Sequence, residues 1–293
     1  MVRSVVRLGY LPPYDWDAML GFLAARAVEG VEAVRGDAYR RTFVEDGERG
    51  SMVVAHDPTR SCLVVTCQAA NVSTPRLRRL FDLDADVATI GSALSRDPLL
   101  SPLVNARPGL RVPGAWDGFE LGVRAILGQQ VTLGAGRKLA GRLVALCAET
   151  LTGGGDEREL TRVFPSAERL LASDLSGLGM PAARRATLVA LAEAAVADPQ
   201  LFTRPMTAAE AVERFRSIRG IGEWTAQYIA LRALRLPDAF PPGDAALIRS
   251  VGALLGERPT SAGLVRRAEA WRPWRSYAAQ HLWTAAPSTR GVG

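Results

Sequence analysis

The run Arg219-Gly220-Ile221-Gly222-Glu223-Trp224-Thr225-Ala226 is followed, beyond one helical stretch and a Pro-rich loop, by Asp244. These residue types at this spacing suit chemistry on a nucleic-acid strand. Gly220 and Gly222 lack Cβ, so the turn they form is free to take positive φ and to approach another backbone closely. A turn that opens a helix presents unpaired N–H groups and the positive end of the helix dipole, which suits a phosphate. Asp244 follows Phe240-Pro241-Pro242-Gly243 and precedes Ala245-Ala246-Leu247-Ile248, the position of an N-cap. A cap of that kind stabilises its helix by roughly 0.5–2 kcal/mol. The dipole also holds the carboxylate ionised, and an ionised carboxylate can stabilise a developing cation. Trp224 and Tyr228 are four residues apart and share one helix face, either as core aromatics or as a wall for a planar base. Arg219, Arg232 and Arg235 are candidate phosphate contacts, against the plainer alternative of solvated arginines.

Composition narrows the function classes. The chain has 293 residues, enough for two or three domains, and a formal net charge of +6. The excess is mostly arginine, which pairs bidentately with phosphate and favours a polyanionic partner; a GC-rich genome would give the same bias. Three cysteines, Cys62, Cys67 and Cys147, exclude a four-cysteine zinc or iron–sulfur site. His56 and His281 are too few and too scattered for a histidine-based metal site. No signal-peptide pattern and no ~20-residue apolar span is present, which predicts a cytoplasmic, nucleoid-associated protein without a membrane partner.

The elements that must position these residues fall into two kinds. In the first ~90 residues, Arg3 to Leu8, Arg41 to Glu45, Met52 to Ala55 and Cys62 to Cys67 are short, rich in Val, Thr or Phe, and bounded by turns at Asp46-Gly47 and Asp57-Pro58. Helices are predicted over Trp16 to Val28 and Thr74 to Leu83. From Asp117 onward the periodicity is helical. Asp117 and Glu120 read as a capping box, as do Thr207 and Glu210. Helices are expected over Thr132 to Glu149, Pro165 to Ala172, Pro181 to Ala197, and then from Thr207, Trp224, Asp244, Thr260 or Ser261, and around Tyr277. Thr150 to Arg158, with Gly153-Gly154-Gly155, reads as a flexible surface loop. The fold class is therefore α+β: a small antiparallel-sheet domain with two helices, then mainly α-helical domains.

At this point the sequence resembles the helix-hairpin-helix DNA glycosylases, and within them the bacterial 3-methyladenine DNA glycosylase II family. The resemblance is carried by Pro12-Pro13-Tyr14-Asp15-Trp16, Leu20-Gly21-Phe22-Leu23-Ala24-Ala25-Arg26-Ala27, Gly122-Val123-Arg124-Ala125-Ile126-Leu127-Gly128-Gln129, Gly220-Ile221-Gly222-Glu223-Trp224-Thr225-Ala226-Gln227-Tyr228 and Trp271-Arg272-Pro273-Trp274-Arg275-Ser276-Tyr277. These blocks run from near one end of the chain to near the other. The resemblance implies a sheet domain over 1–92, a helical domain with the helix-hairpin-helix motif over 117–236, and a second helical domain from 93–116 plus 237–293, facing each other across a cleft. It implies that Asp244 is the catalytic aspartate. Phe22, Trp224, Tyr228, Trp283 and Ala245 would line the base pocket, and Arg219, Gly220, Gly222 and Thr225 would meet DNA. The carbonyls of Arg216, Ile218 and Ile221 would hold a structural Na+ or K+ beside the phosphate, with no cofactor required and no iron–sulfur cluster.

The implied activity is hydrolytic release of alkylated bases, such as 3-methyladenine and 7-methylguanine, from double-stranded DNA by a monomer. Bifunctional relatives carry a Schiff-base lysine just after the glycine turn, where this chain has Trp224, so base release without strand cleavage is expected. Two positions depart from the family pattern. Gln130 stands where relatives place a leucine wedge, and Ala245 where they place a tyrosine. The alternatives are a non-catalytic binder of damaged DNA and an oxidised-guanine glycosylase/lyase.

Overall fold

The computed structural model describes residues 4–68, 72–151 and 159–286. Most of the expected Gly153 loop lies outside the described residues. The N-terminal part is a five-stranded antiparallel sheet in the order β1-β5-β4-β3-β2, with β1 at Ser4–Gly9, β2 at Glu32–Arg35, β3 at Ala38–Glu45, β4 at Glu48–Asp57 and β5 at Cys62–Cys67. The β3–β4 hairpin turns at Asp46-Gly47 with φ of 51° and 81°. Positive φ at both central residues matches the right-handed twist of the flanking strands, so β4 starts straight after the turn and runs longer than its Val-rich centre suggests. One face of the sheet carries Tyr39, Met52, Val54, Leu63 and Val65 against α1 (Trp16–Arg26) and α2 (Thr74–Phe81), which contribute Trp16, Leu20, Leu77, Leu80 and Phe81. Cys62, Cys67 and Cys147 are free and buried.

The remaining helices are α3 (Val87–Leu94), α4 (Ser101–Ala106), α5 (Gly118–Leu127), α6 (Leu133–Cys147), α7 (Ala167–Leu171), α8 (Ala182–Ala197), α9 (Ala208–Arg216), α10 (Glu223–Arg232), α11 (Ala245–Leu255), α12 (Ser261–Ala268) and α13 (Arg275–Ala285). They bury two further cores. Residues of α5 to α10 form one, with Ile126, Leu143, Leu188, Phe215 and Ile229 fully inside. The other joins α3 and α4 to α11, α12 and α13 through Leu100, Leu247, Val251, Trp271 and Leu282. Helix α10 belongs to both: Ala226 and Ile229 enter the first core, Ala230 and Leu231 the second. Its remaining face, carrying Trp224 and Tyr228, stands between the two helical bodies.

A buried ion cluster ties the sheet to the helices. Arg41 of β3 donates to Glu120 of α5 at 2.8 Å and lies 3.7 Å from Glu32 of β2, while Arg124 of α5 pairs with both carboxylates. Desolvation alone would raise the Glu32 pKa, but the Arg124 and Arg41 guanidiniums outweigh it and hold the carboxyl below its ordinary value. This cluster explains why one expected capping box is only half formed. Asp117 accepts from the Glu120 N–H at 2.9 Å, yet the Glu120 carboxylate is committed to arginines and does not return the bond. At Thr207 and Glu210 both halves of the box are present.

Candidate active site

The glycine turn links α9 to α10. Ile221 donates its N–H to the Ile218 carbonyl at 3.1 Å, and Gly220 takes φ +85° with its Cα facing α8. A Cβ there would lie 1.9 Å from Thr187 Oγ1, so both conformation and space require glycine. Gly222 is different. Its φ is −85° and nothing lies within 4 Å of where a Cβ would sit, so the positive φ open to this turn is used at Gly220 alone. Gly222 caps α10 without a side chain, leaving the first N–H groups of the helix without a side-chain cap.

Asp244 caps α11 as expected. Its Oδ1 accepts from Ala246 N and Leu247 N, each at 2.9 Å. The carboxylate is 9% exposed and does more than cap. Trp224 Nε1 donates to Oδ2 at 2.8 Å, and Trp283 Nε1 of α13 donates to Oδ1 at 3.1 Å. Two indoles and two backbone amides therefore fix both oxygens in place. Tyr228 stacks on Trp224, with centroids 5.2 Å apart and 8° between planes, and meets Trp283 edge-on at 6.1 Å. The Trp224–Tyr228 gap is too narrow for a base between them, so a planar ligand would stack on the outside of this wall.

The other end of the wall is cationic. Arg232 Nη1 donates to the Tyr228 hydroxyl at 2.7 Å, and its remaining donors meet the carbonyls of Pro113 and Gly114. Burial opposes ionisation of Tyr228, but the Arg232 and Arg26 guanidiniums outweigh it and draw the phenol below its ordinary pKa. Burial, with Arg26 nearby, lowers Arg232 to about 10, which leaves it charged at neutral pH. Phe22, on α1, lies under two cations: the guanidinium carbons of Arg26 and Arg232 are 3.6 Å and 4.5 Å from its ring centroid.

A third part faces the turn. The loop between α5 and α6 carries Gln130 at φ +55°, exposed at its tip, with Val131 and Leu133 beside it 36% and 49% exposed. Gln129 Nε2 donates to Thr225 Oγ1 at 3.1 Å and to the Gly220 carbonyl at 3.4 Å, and Arg184 Nη2 donates to the Gln129 carbonyl at 2.7 Å. The loop and the glycine turn are thus bonded to each other.

Comparisons with known proteins place the chain in a family and a fold. Residues 5–117 match the AlkA N-terminal domain. The whole chain is similar to DNA-3-methyladenine glycosylase 2 of Escherichia coli (strain K12), with 39% identity over 94% of this chain and 95% of that one. The chain belongs to the DNA-3-methyladenine glycosylase 2 (AlkA) family. The 3-methyladenine DNA glycosylase of Archaeoglobus fulgidus superposes with a TM-score of 0.81 at 21% identity, covering 95% of this chain and 97% of that one. The 8-oxoguanine glycosylase/lyase of Clostridium acetobutylicum does so at 0.73 and 16%, covering 96% of each. Glycosylases with and without lyase in their names therefore share this fold, and within the AlkA framework side chains must tell them apart.

Of the residues singled out from sequence, Asp244, Trp224, Tyr228 and Trp283 converge directly, and Phe22 joins them through Arg232. Ala245 follows Asp244 as an exposed first residue of α11. Arg219 is exposed on the turn, while Thr225 is 2% exposed and turned to Gln129. Arg232 and Arg235 are not phosphate contacts. Arg232 is 4% exposed; Arg235 donates to the Val112 carbonyl at 2.7 Å and pairs with Asp82. Both pin the segment before α5 to α10. Sequence reasoning missed Arg26 and Gln129 as parts of the site; each lay inside a quoted motif, Arg26 one helical turn after Phe22 and Gln129 next to Gln130.

Proposed function

We propose that this AlkA-family chain is a monofunctional DNA glycosylase, which flips an alkylated base out of duplex DNA and hydrolyses its glycosidic bond to leave an abasic site. The observation that carries the reading is the Asp244 carboxylate, fixed by the N–H groups of Trp224 and Trp283 at the edge of an aromatic wall. Alkylation at purine N3 or N7 makes the base a cation and a good leaving group. Such a base stacks on electron-rich rings by a cation–π contact worth ~2 kcal/mol or more when desolvated. As the bond breaks, positive charge moves to the sugar, and a carboxylate held at the departing base stabilises that oxocarbenium-like state while orienting water. Flipping costs a few kcal/mol, less at damaged pairs, and Gln130 at the loop tip would fill the gap and hydrogen-bond the orphaned base.

Strand cleavage by an amine is not expected. Trp224 occupies the position of the Schiff-base lysine, and Lys138, the single lysine of the chain, lines another groove with Arg35 and Arg142. The α9–turn–α10 unit would hold a phosphate as a helix-hairpin-helix. We propose a Na+ or K+ at its carbonyls; the Ile218 oxygen, which accepts from Ile221 N–H, keeps a second lone pair for such an ion. The ligands would be the carbonyl oxygens of Arg216, Ile218 and Ile221, and the ion would neutralise phosphate charge. Among the described residues no helix is long and apolar enough to cross a membrane.

The test is base release from methylated duplex DNA by wild type and Asp244→Asn, with strand integrity read before and after alkali. Free methylpurine from wild type alone, with breaks only after alkali, is the expected result. Tight damage-selective binding without release would replace this reading with that of a non-catalytic binder, and breaks before alkali would favour a lyase.

A further inference from the structure

A cavity of about 110 Å³ continues the aromatic wall inward and is lined by Phe22, Arg26, Tyr228, Arg232, Leu133 and Arg124, among others. It shares Tyr228 with the catalytic wall but does not reach Asp244. Its two arginines at the Phe22 ring differ in how they are held. Arg232 is anchored by two backbone carbonyls and the Tyr228 hydroxyl. Arg26 is half-buried, donates to the Phe22 carbonyl of its own helix at 3.3 Å and helps draw the Tyr228 phenol below its ordinary pKa; among the described residues no carboxylate pairs with it. Three other arginines of this region do pair with carboxylates: Arg41 and Arg124 with Glu32 and Glu120, and Arg235 with Asp82.

A guanidinium without a counter-ion, resting on an aromatic ring at the mouth of a cavity, has free N–H donors in a planar fork. We propose that Arg26 is a specificity-determining residue that donates to a carbonyl oxygen on the flipped base, leaving the face of Phe22 as it does so. The inference rests on the glycosylase reading and adds the chemistry of the inner end of its pocket. The site is then polarised. Asp244 faces the sugar end, where positive charge develops, and Arg26 and Arg232 face the far edge of the base. A neutral lesion with a carbonyl there gains a charge-assisted hydrogen bond. A cationic base without a carbonyl meets only like charge, and finds Phe22 already covered by a guanidinium.

Hypoxanthine, neutral with a carbonyl, and 3-methyladenine, cationic without one, separate the two cases. Wild type, Arg26→Met and Arg26→Lys would be compared for release of each base from duplex DNA, with melting temperatures as the control for folding. Arg26→Met is expected to lower the ratio of hypoxanthine to 3-methyladenine release about tenfold, the effect of losing one hydrogen bond to a charged group, whatever it does to the two rates together. Arg26→Lys keeps the charge but not the fork, so a smaller drop in the same direction is expected, and it carries the test if the Met variant does not fold. A hypoxanthine to 3-methyladenine ratio that stays within about twofold of wild type, whether both rates hold or both fall, overturns the proposal. Wild type that releases 3-methyladenine but no hypoxanthine overturns it alone; wild type that releases neither overturns the glycosylase reading itself.

Discussion

Asp244 shows how one side chain serves two ends. The backbone bonds of a cap orient one oxygen, and the two indoles orient the carboxylate as a whole. Replacing Trp224 by Phe keeps a ring on Tyr228 but removes the donor to Oδ2. Base release should fall about tenfold, the usual effect of one hydrogen bond to a charged group, while DNA affinity stays within about twofold; single-turnover excision alongside a binding titration checks this. The Trp224–Tyr228 stack was legible because residues four apart on a helix share a face. The clamp on Asp244 was not, since Trp283 comes from α13 and only tertiary packing aims its N–H. Arg232 and Arg235 were misread for the same reason. Most of their acceptors are the carbonyls of Pro113, Gly114 and Val112, and every residue has a carbonyl; Asp82, which pairs with Arg235, is distant in sequence, so only the Tyr228 hydroxyl, one turn before Arg232, offered a side-chain cue.

Among the elements, the α9–turn–α10 unit separates two glycines that look alike in sequence. Gly220→Ala forces a left-handed residue and a Cβ into Thr187, and should destabilise the fold by about 2 kcal/mol or more. Gly222→Ala has room in the free protein, and its melting temperature should match wild type. Its added methyl stands where a phosphate would approach the N–H groups of α10, so affinity should drop roughly tenfold across all DNA sequences. Thermal melts and binding to two unrelated duplexes distinguish the pair; equal melting temperatures would show that the turn tolerates a Cβ at either position. Helix starts were legible at Thr132, Thr207, Asp244 and Thr260, which all accept from the first turn that follows them, but not at Asp86 or Ser166, which cap α3 and α7. Strand β2 escaped notice because Glu-Ala-Val-Arg is short and faces partners on one side only, and α3 and α4 because their segment is interrupted by Pro98 and Pro102.

At the scale of the molecule, the cores and the charges between them set the response to pH. His281 of α13 lies where burial lowers its pKa to about 4, with Asp15 and Arg107 acting in opposite directions. The unfolded chain binds a proton near 6.5 and the native state near 4. Stability from this site is therefore full above pH 6.5 and is lost as pH falls through that window, by about 3 kcal/mol in total. Denaturant unfolding of wild type and His281→Gln between pH 7 and 4.5 should show the slope in the first and a flatter line in the second; parallel lines would mean that other groups dominate. The α+β order and the helical remainder were visible in residue periodicity, but the sharing of α10 between two cores was not, because both of its faces are apolar and sequence does not say which neighbour each one meets. The bond from Gln129 to Thr225 and Gly220 has one more consequence. A protein that scans DNA must choose between moving fast and testing each base pair. With the turn as the proposed backbone grip and Gln130 as the proposed probing tip, this bond would make the two mechanically one part, so every register adopted on a strand would also press Gln130 against the stack. Scanning and inspection would then share a single step, and cutting the strut with Gln129→Ala should let the protein travel faster past lesions it no longer stops to feel.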